Sequence, residues 1–139
     1  KGKIPGQGEM RNFIEKDAET NLSRILDESG QDVKTAHSNY KRLKTTADYS
    51  LVQVELITGR SHQIRSQFAH LGRPLIGDQK YGDPKTNDYF RTKFQLNHQF
   101  LFAHEIEFQE AEGLDYLKGK RFTCKLPLYM ENIKKALFH

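Results

Sequence analysis

The clearest pattern along the chain is the alternation at residues 51–57, where Val52, Val54 and Leu56 fall on one face and Gln53 and Glu55 on the other. Period-two alternation of this kind predicts a half-buried strand. Residues 36–43 alternate more loosely, and the polar stretch 44–49 joins the two, so they read as a hairpin with one wet side. Residues 22–26 form a weaker strand candidate ahead of a polar turn at 27–32, and residues 14–17 a short extended piece. Two further strands are expected at 100–108 and 121–126, around a charged loop at 110–120 with a short turn in it.

Helical spacing replaces alternation after Thr58-Gly59. Ile64, Phe68 and Leu71 recur at i, i+4 and i+7, an apolar stripe on one side of a helix. Ser61 is placed to cap its start and Gly72 to end it, and Pro74 prevents its resumption. A closing helix is predicted at 128–138 with Ile133 and Leu137 inward. Residues 1–8, with three glycines and a proline, and residues 83–87 read as loops, and 88–96 is a basic segment without a clear period. The elements add up to an α+β fold: an antiparallel or mixed sheet with flanking helices, in a single domain over residues 1–139.

The stretch 58–82 carries more planar hydrogen-bonding side chains than a core requires. Arg65 follows Ile64 by one step, about 100° round the helix, at the border of the apolar stripe. His62 lies one turn earlier on the same side. A border arginine held by its neighbours presents a planar fork suited to a carboxylate or a phosphate, where a lone arginine would ordinarily be a solvated one.

Residues 58–67, Thr-Gly-Arg-Ser-His-Gln-Ile-Arg-Ser-Gln, and residues 73–82, Arg-Pro-Leu-Ile-Gly-Asp-Gln-Lys-Tyr-Gly, resemble the signature of the RluA-type pseudouridine synthases. In that family a T-G-R-T-H-Q-I-R-V-H helix precedes H-P-I-x-G-D-x-x-Y-G. Residues 34–43, 101–108 and 122–127 resemble further strands of the same family, in the same order along most of the chain. The resemblance implies a catalyst that breaks the N-glycosidic bond of a uridine, rotates the freed uracil and rejoins it through carbon, without metal or organic cofactor. It also implies an aspartate nucleophile, an aromatic residue stacked on a nucleotide flipped out of folded RNA, and an arginine paired with the aspartate. Arg65 stands where that arginine is expected.

The nucleophile has no convincing counterpart. Asp27, in Arg24-Ile25-Leu26-Asp27-Glu28-Ser29-Gly30, has the wrong spacing and too short an interval to the arginine helix. A turn explains it better. Asp78 reads as a structural or RNA-facing acid, and Tyr40 as a packing residue. The chain is therefore expected to be the C-terminal portion of a synthase catalytic domain, its partner being an N-terminal portion that bears the nucleophile and the stacking aromatic. The parent would act on structured RNA, with ribosomal RNA the expected class, and the chain alone would be inactive. RNA contacts are expected at Arg60, His62, Gln63, Arg73 and Lys80, with Ile64 and Leu101 packing around the pocket. The rival reading is a non-catalytic RNA-binding or interaction module of the same fold. Gln67 and Phe102 depart from the family, which has histidine at both places.

Totals change this picture little. A net charge of +4 and a pI near 9.1 suit a polyanionic partner but are common without one. No apolar run approaches the ~20 residues needed to cross a membrane, which with the lone Cys124 points to a cytoplasmic protein. His62, His70 and His104 do not make a metal site: the first two are about 80° out of phase on a helix, and no thiolate pair joins them. Ser61 beside His62 lacks an orienting acid. Lys80, Lys85, Arg91 and Lys93 read first as solvated surface and second as phosphate contacts.

Overall fold

The computed structural model of the protein describes residues 1–110 and 112–139. They form two compact units, residues 1–100 with 137–139, and residues 101–136, a division that the hydropathy pattern does not announce.

The first unit is built on a four-stranded antiparallel sheet in the order β2-β1-β3-β4. Its strands are β1 (Gln7–Lys16), β2 (Ser23–Leu26), β3 (Lys34–Thr45) and β4 (Ser50–Leu56). The expected hairpin is β3–β4, with a register shift between Arg42 and Lys44. On β3 the buried residues are Ala36, Ser38 and Tyr40, two apart, as one covered face demands.

β1 is far longer than the extended piece expected at 14–17. Its inner-face positions include Gly8 and Asn12, which break the apolar alternation. Gly8 sits opposite Tyr40, and a Cβ there would lie 2.5 Å from the tyrosine ring. Glycine makes room for the aromatic, which then covers the bare backbone. Tyr40 meets Phe68 edge-on at 5.9 Å, and these two with Ile4 and Met10 form the core, flanked by Val52, Val54, Ile64 and Leu75.

Two helices complete this unit, α1 (Gln63–His70) and α2 (Pro84–Phe94). α1 ends as expected: Gly72 adopts φ +68, its N–H bonds Ala69 O, and Arg73 N–H bonds Phe68 O. That is a Schellman closure, which favours glycine. Its start differs. His62, in the left-handed region at φ 52, is the N-cap, and it makes no capping bond. Ser61 is exposed instead, its carbonyl accepting from Ser23 Oγ at 2.7 Å. Leu71, expected on the buried stripe, is 45% exposed. α2 replaces the expected loop at 83–87 and the unassigned segment after it. Asp83 caps it through Thr86 N at 2.9 Å, and Pro84 takes its first turn, where a missing N–H costs nothing.

In the second unit β5 (Glu105–Glu107) and β6 (Arg121–Thr123) form an antiparallel pair, and α3 (Leu128–Leu137) follows. The strands are much shorter than the 100–108 and 121–126 expected. Ile106 lies opposite Phe122 on one face, and Arg121 bonds Glu107 on the other at 2.8 Å. Ile133 is buried, as expected of α3. Cys124 lies just beyond β6 and is exposed. Among the described residues no helix is long and apolar enough to cross a membrane.

Candidate functional site

The site is assembled on α1, and its foundation is polar. The face of α1 turned to the sheet carries Gln63, Ser66 and Gln67, all buried, beside Phe68. Buried amides are tolerated only when paired, and these are. Gln63 Oε1 accepts from Thr58 Oγ1 at 2.8 Å and Arg60 N at 2.9 Å, and Nε2 donates to His37 O at 3.0 Å and Ser38 Oγ at 2.8 Å. Ser38 Oγ passes its own proton to Gln67 Oε1 at 2.8 Å. Gln67 Nε2 then reaches Met10 O, Asn12 Oδ1 and Ala36 O, at 3.3, 3.1 and 3.2 Å. One hydroxyl links two glutamines, and together they tie α1 to β1, β3 and the loop before the helix.

On the flank of α1, Arg65 lies with only 12% of its side chain exposed, beside the fully buried carboxylate of Asp78. Arg65 Nε donates to Oδ2 at 2.7 Å and Nη2 to Oδ1 at 2.8 Å, a two-point fork. Oδ1 also accepts from the backbone N–H groups of Lys80 and Tyr81, both at 3.0 Å. Burial pushes the Asp78 pKa up, but the Arg65 guanidinium and those two N–H groups outweigh it and hold the carboxyl below its ordinary value. The Tyr81 ring lies 5.1 Å from the Arg65 guanidinium carbon. Among the described residues nothing bonds the Nη1 end of the fork.

Tyr81 extends the assembly through its hydroxyl. Ser23 N–H donates to it at 2.7 Å, and His62 Nδ1 lies 2.8 Å away. Burial, and after it the charges of Arg65 and Lys80, hold the His62 pKa below its ordinary value. The ring is therefore neutral near pH 7. A phenol that accepts from Ser23 and donates its own proton to Nδ1 leaves the imidazole proton on Nε2.

The expected site residues are thus distributed unevenly. Arg65, His62 and the backbone of Lys80 converge on Asp78 and Tyr81. Gln63, expected at RNA, is buried with its amide engaged inside the fold. Arg73 is exposed but bonds Lys3 O at 2.8 Å and Gly72 O at 3.0 Å. Arg60 is exposed and bonds Thr35 O at 2.9 Å. Ile64 packs against the core, while Leu101, expected in the pocket lining, is 41% exposed in the other unit. Asp27 is exposed in the turn after β2, and the acid joined to Arg65 is Asp78. Tyr81 was not among the expected site residues, although it stands three residues after Asp78 in the Gly77–Gly82 turn.

A family model described as RNA pseudouridylate synthase matches residues 2–70. An uncharacterized RNA pseudouridine synthase from Chloroflexus aurantiacus is 34% identical over 139 residues, covering 98% of this chain and 39% of its own length. The ribosomal large subunit pseudouridine synthase C of Rickettsia bellii is 34% identical over 131 residues, covering 94% of this chain and 40% of its own. The chain belongs to the pseudouridine synthase superfamily. It therefore spans about two fifths of the length of those relatives. The tRNA pseudouridine synthase C of Vibrio parahaemolyticus matches a shorter stretch, 41% identical over 63 residues, 45% of this chain and 26% of its own. In structure the chain is similar to human RNA pseudouridylate synthase domain containing 4, with a TM-score of 0.67 at 22% identity over 96% of this chain and 57% of that one. At that identity the likeness speaks for the fold, and it covers part of a pseudouridine synthase fold.

Proposed function

We propose that this chain is the C-terminal, Arg65-bearing portion of the catalytic domain of an RNA pseudouridine synthase. Its parent isomerises uridine in structured RNA in the cytoplasm, ribosomal RNA by preference. In this reading the nucleophilic aspartate and the stacking aromatic belong to an N-terminal portion of the domain, outside these 139 residues, so the chain alone does not turn over. The reaction uses no cofactor: the C1′–N1 bond breaks, a C1′–C5 bond forms, the C5 proton leaves to solvent and N1 takes one up, so the product is an isomer of the substrate.

One observation carries the reading, the pose of Arg65. Asp78 grips the fork from the side and Tyr81 lies under it, which leaves Nη1 and the second Nη2 proton for another acceptor. Two parallel donors at the end of a guanidinium match the two oxygens of a carboxylate. A nucleophile held there stays ionised and oriented. Arg60, His62 through its Nε2–H, Arg73 and Lys80 are the RNA contacts of this reading. Gln63 acts behind them, holding Arg60 N and Thr58.

The test is tritium release from C5-labelled uridine RNA by the full-length parent. Arg65→Ala and Arg65→Lys are expected to lower turnover by roughly a hundredfold or more, the scale on which positioned charges contribute to catalysis, with RNA affinity within about threefold. Turnover that survives both substitutions sinks the reading. A second reading, the non-catalytic RNA-binding module, is favoured by the fact that Asp78 already gives Arg65 a carboxylate partner within the chain. A parent that binds RNA and releases no tritium under any condition decides for it.

A further inference from the structure

The aim of Arg65 depends on Asp78, and Asp78 has a keeper that is not part of the site. We infer that Asn87, on the first turns of α2, is a positioning residue for the reaction at Arg65; the inference builds on the function proposed above. Asn87 is buried, and its amide spans the Gly77–Asp78 segment. Oδ1 accepts the Gly77 N–H at 2.8 Å, and Nδ2 donates to Asp78 O at 2.8 Å. Both backbone groups are interior: without Asn87 the Gly77 N–H would be orphaned, a cost that the asparagine removes, and Asp78 O would keep only its bond from Gly82 N–H.

The segment it holds has little freedom elsewhere. Gly77 adopts φ +76, and a Cβ there would lie 2.2 Å from His98 O. Asp78 O also accepts the Gly82 N–H at 2.9 Å, closing the turn that delivers the Lys80 and Tyr81 N–H groups to the carboxylate. Asn87 thus secures the backbone of Asp78, the turn secures its carboxylate, and the carboxylate secures Arg65. The position of Asn87 is itself determined by the capped start of α2, where Asp83 takes the Thr86 N–H and its carbonyl accepts Asn87 N–H at 2.9 Å.

A merely structural asparagine would matter to folding and to nothing else, so the test separates the two. In this chain, exchange of the Arg65 Nε–H with water is followed by nitrogen-15 NMR beside the slowest amides of β1 and β3. Asn87→Ala is expected to speed Nε–H exchange by roughly tenfold while the sheet amides move far less, because local and global opening are separable. Equal acceleration of both overturns the inference. Should Asn87→Ala not fold, Asn87→Asp, which keeps the Gly77 contact and loses the donor to Asp78 O, is judged by the same ratio. In the full-length parent, Asn87→Ala is expected to lower kcat by roughly ten- to a hundredfold, the cost of small misplacements, with KM for RNA within about threefold. Added to Arg65→Lys it is expected to cost less than about twofold more, since residues acting through one another are not additive. Additive losses overturn the inference. A wild-type parent without isomerase activity would instead refute the proposed function, and the exchange measurement would still decide on Asn87.

Discussion

α1 and α2 are held in the first unit by different mixtures of contacts, α2 burying Asn87 beside Phe90 and α1 burying Phe68 beside three polar residues. α2 turns Phe90 inward, fully buried, edge-on to Tyr49 at 5.4 Å and stacked on Phe94 at 5.5 Å. Those contacts are dispersive and apolar, so they depend on volume more than on direction. α1 buries Gln63, Ser66 and Gln67, whose bonds depend on direction. Apolar packing lets a helix roll by a few degrees at little cost, whereas a network of amide bonds does not. The difference teaches why the arginine is on α1. A guanidinium that must meet a carboxylate in two places needs a helix whose rotation is fixed.

The most severe way to break this arrangement is Asp78→Ala. It strands Arg65, nearly buried, without its counter-charge, and removing one partner of a buried pair costs about 3–5 kcal/mol. Denaturant unfolding measures it. A loss under about 1 kcal/mol would mean that Arg65 swings to solvent freely and that the pair anchors nothing.

A matched pair of substitutions tests the two modes of attachment directly. Phe90→Leu keeps an apolar side chain but gives up some volume and the ring contacts with Tyr49 and Phe94, and should cost about 1–2 kcal/mol. Gln67→Leu is close in size, but it leaves Ser38 Oγ, Ala36 O and Met10 O without their partner, at about 1–3 kcal/mol. The functional readout should diverge more than the stability: Gln67→Leu disturbs the Arg65 Nε–H signal and Phe90→Leu does not. If the order is reversed, direction is not what holds α1.

Acid should separate the components of the site. The folded pKa of Asp78 is below 3.8, so its contribution is complete above that value and is lost as pH falls through the folded pKa. His62 also titrates lower in the fold than its ordinary 6.5. On acidification the unfolded chain takes up that proton first, so stability should decline from about pH 6.5 downward before Asp78 contributes. His62→Gln should remove the earlier decline and leave the later one, as unfolding midpoints against pH would record.

What could be read in the sequence follows the same division. The β3–β4 hairpin and the glycine-ended α1 were legible because alternation and a Gly-Arg-Pro stop have one physical meaning each. β1 was not, since Gly8 and Asn12 occupy inner-face positions for reasons supplied by Tyr40 and Gln67, residues distant in the chain. The start of α2 was present as Asp83-Pro84 but overshadowed by the polar residues after it. On α1 the apolar stripe was only partly the buried face: Leu71 is exposed, while Gln63, expected at RNA, is interior, as is Gln67. Of the site, Arg65 was legible from position. Its pairing with Asp78 was not, because spacing cannot say which of several acids closes on an arginine thirteen residues away.

The subtlest probe is Tyr81→Phe, which keeps the ring under Arg65 and deletes only the hydroxyl. Ser23 N–H and His62 Nδ1 both lose a partner, and the Arg65–Asp78 fork is untouched. A net loss of about 1–2 kcal/mol is expected, because the buried Ser23 N–H is left without its acceptor while His62 can turn to water. The more telling signal is the imidazole. With Tyr81 donating to Nδ1, the proton sits on Nε2, the nitrogen that would meet RNA in the proposed function. Without it neither tautomer is favoured, and nitrogen-15 shifts of His62 should move toward a mixture. Under the proposed function, RNA affinity of the full-length parent should then fall modestly, while its isomerisation rate stays close to the original. A tautomer unchanged by Tyr81→Phe would mean that the hydroxyl does not orient His62, and that α1 presents its histidine by backbone geometry alone.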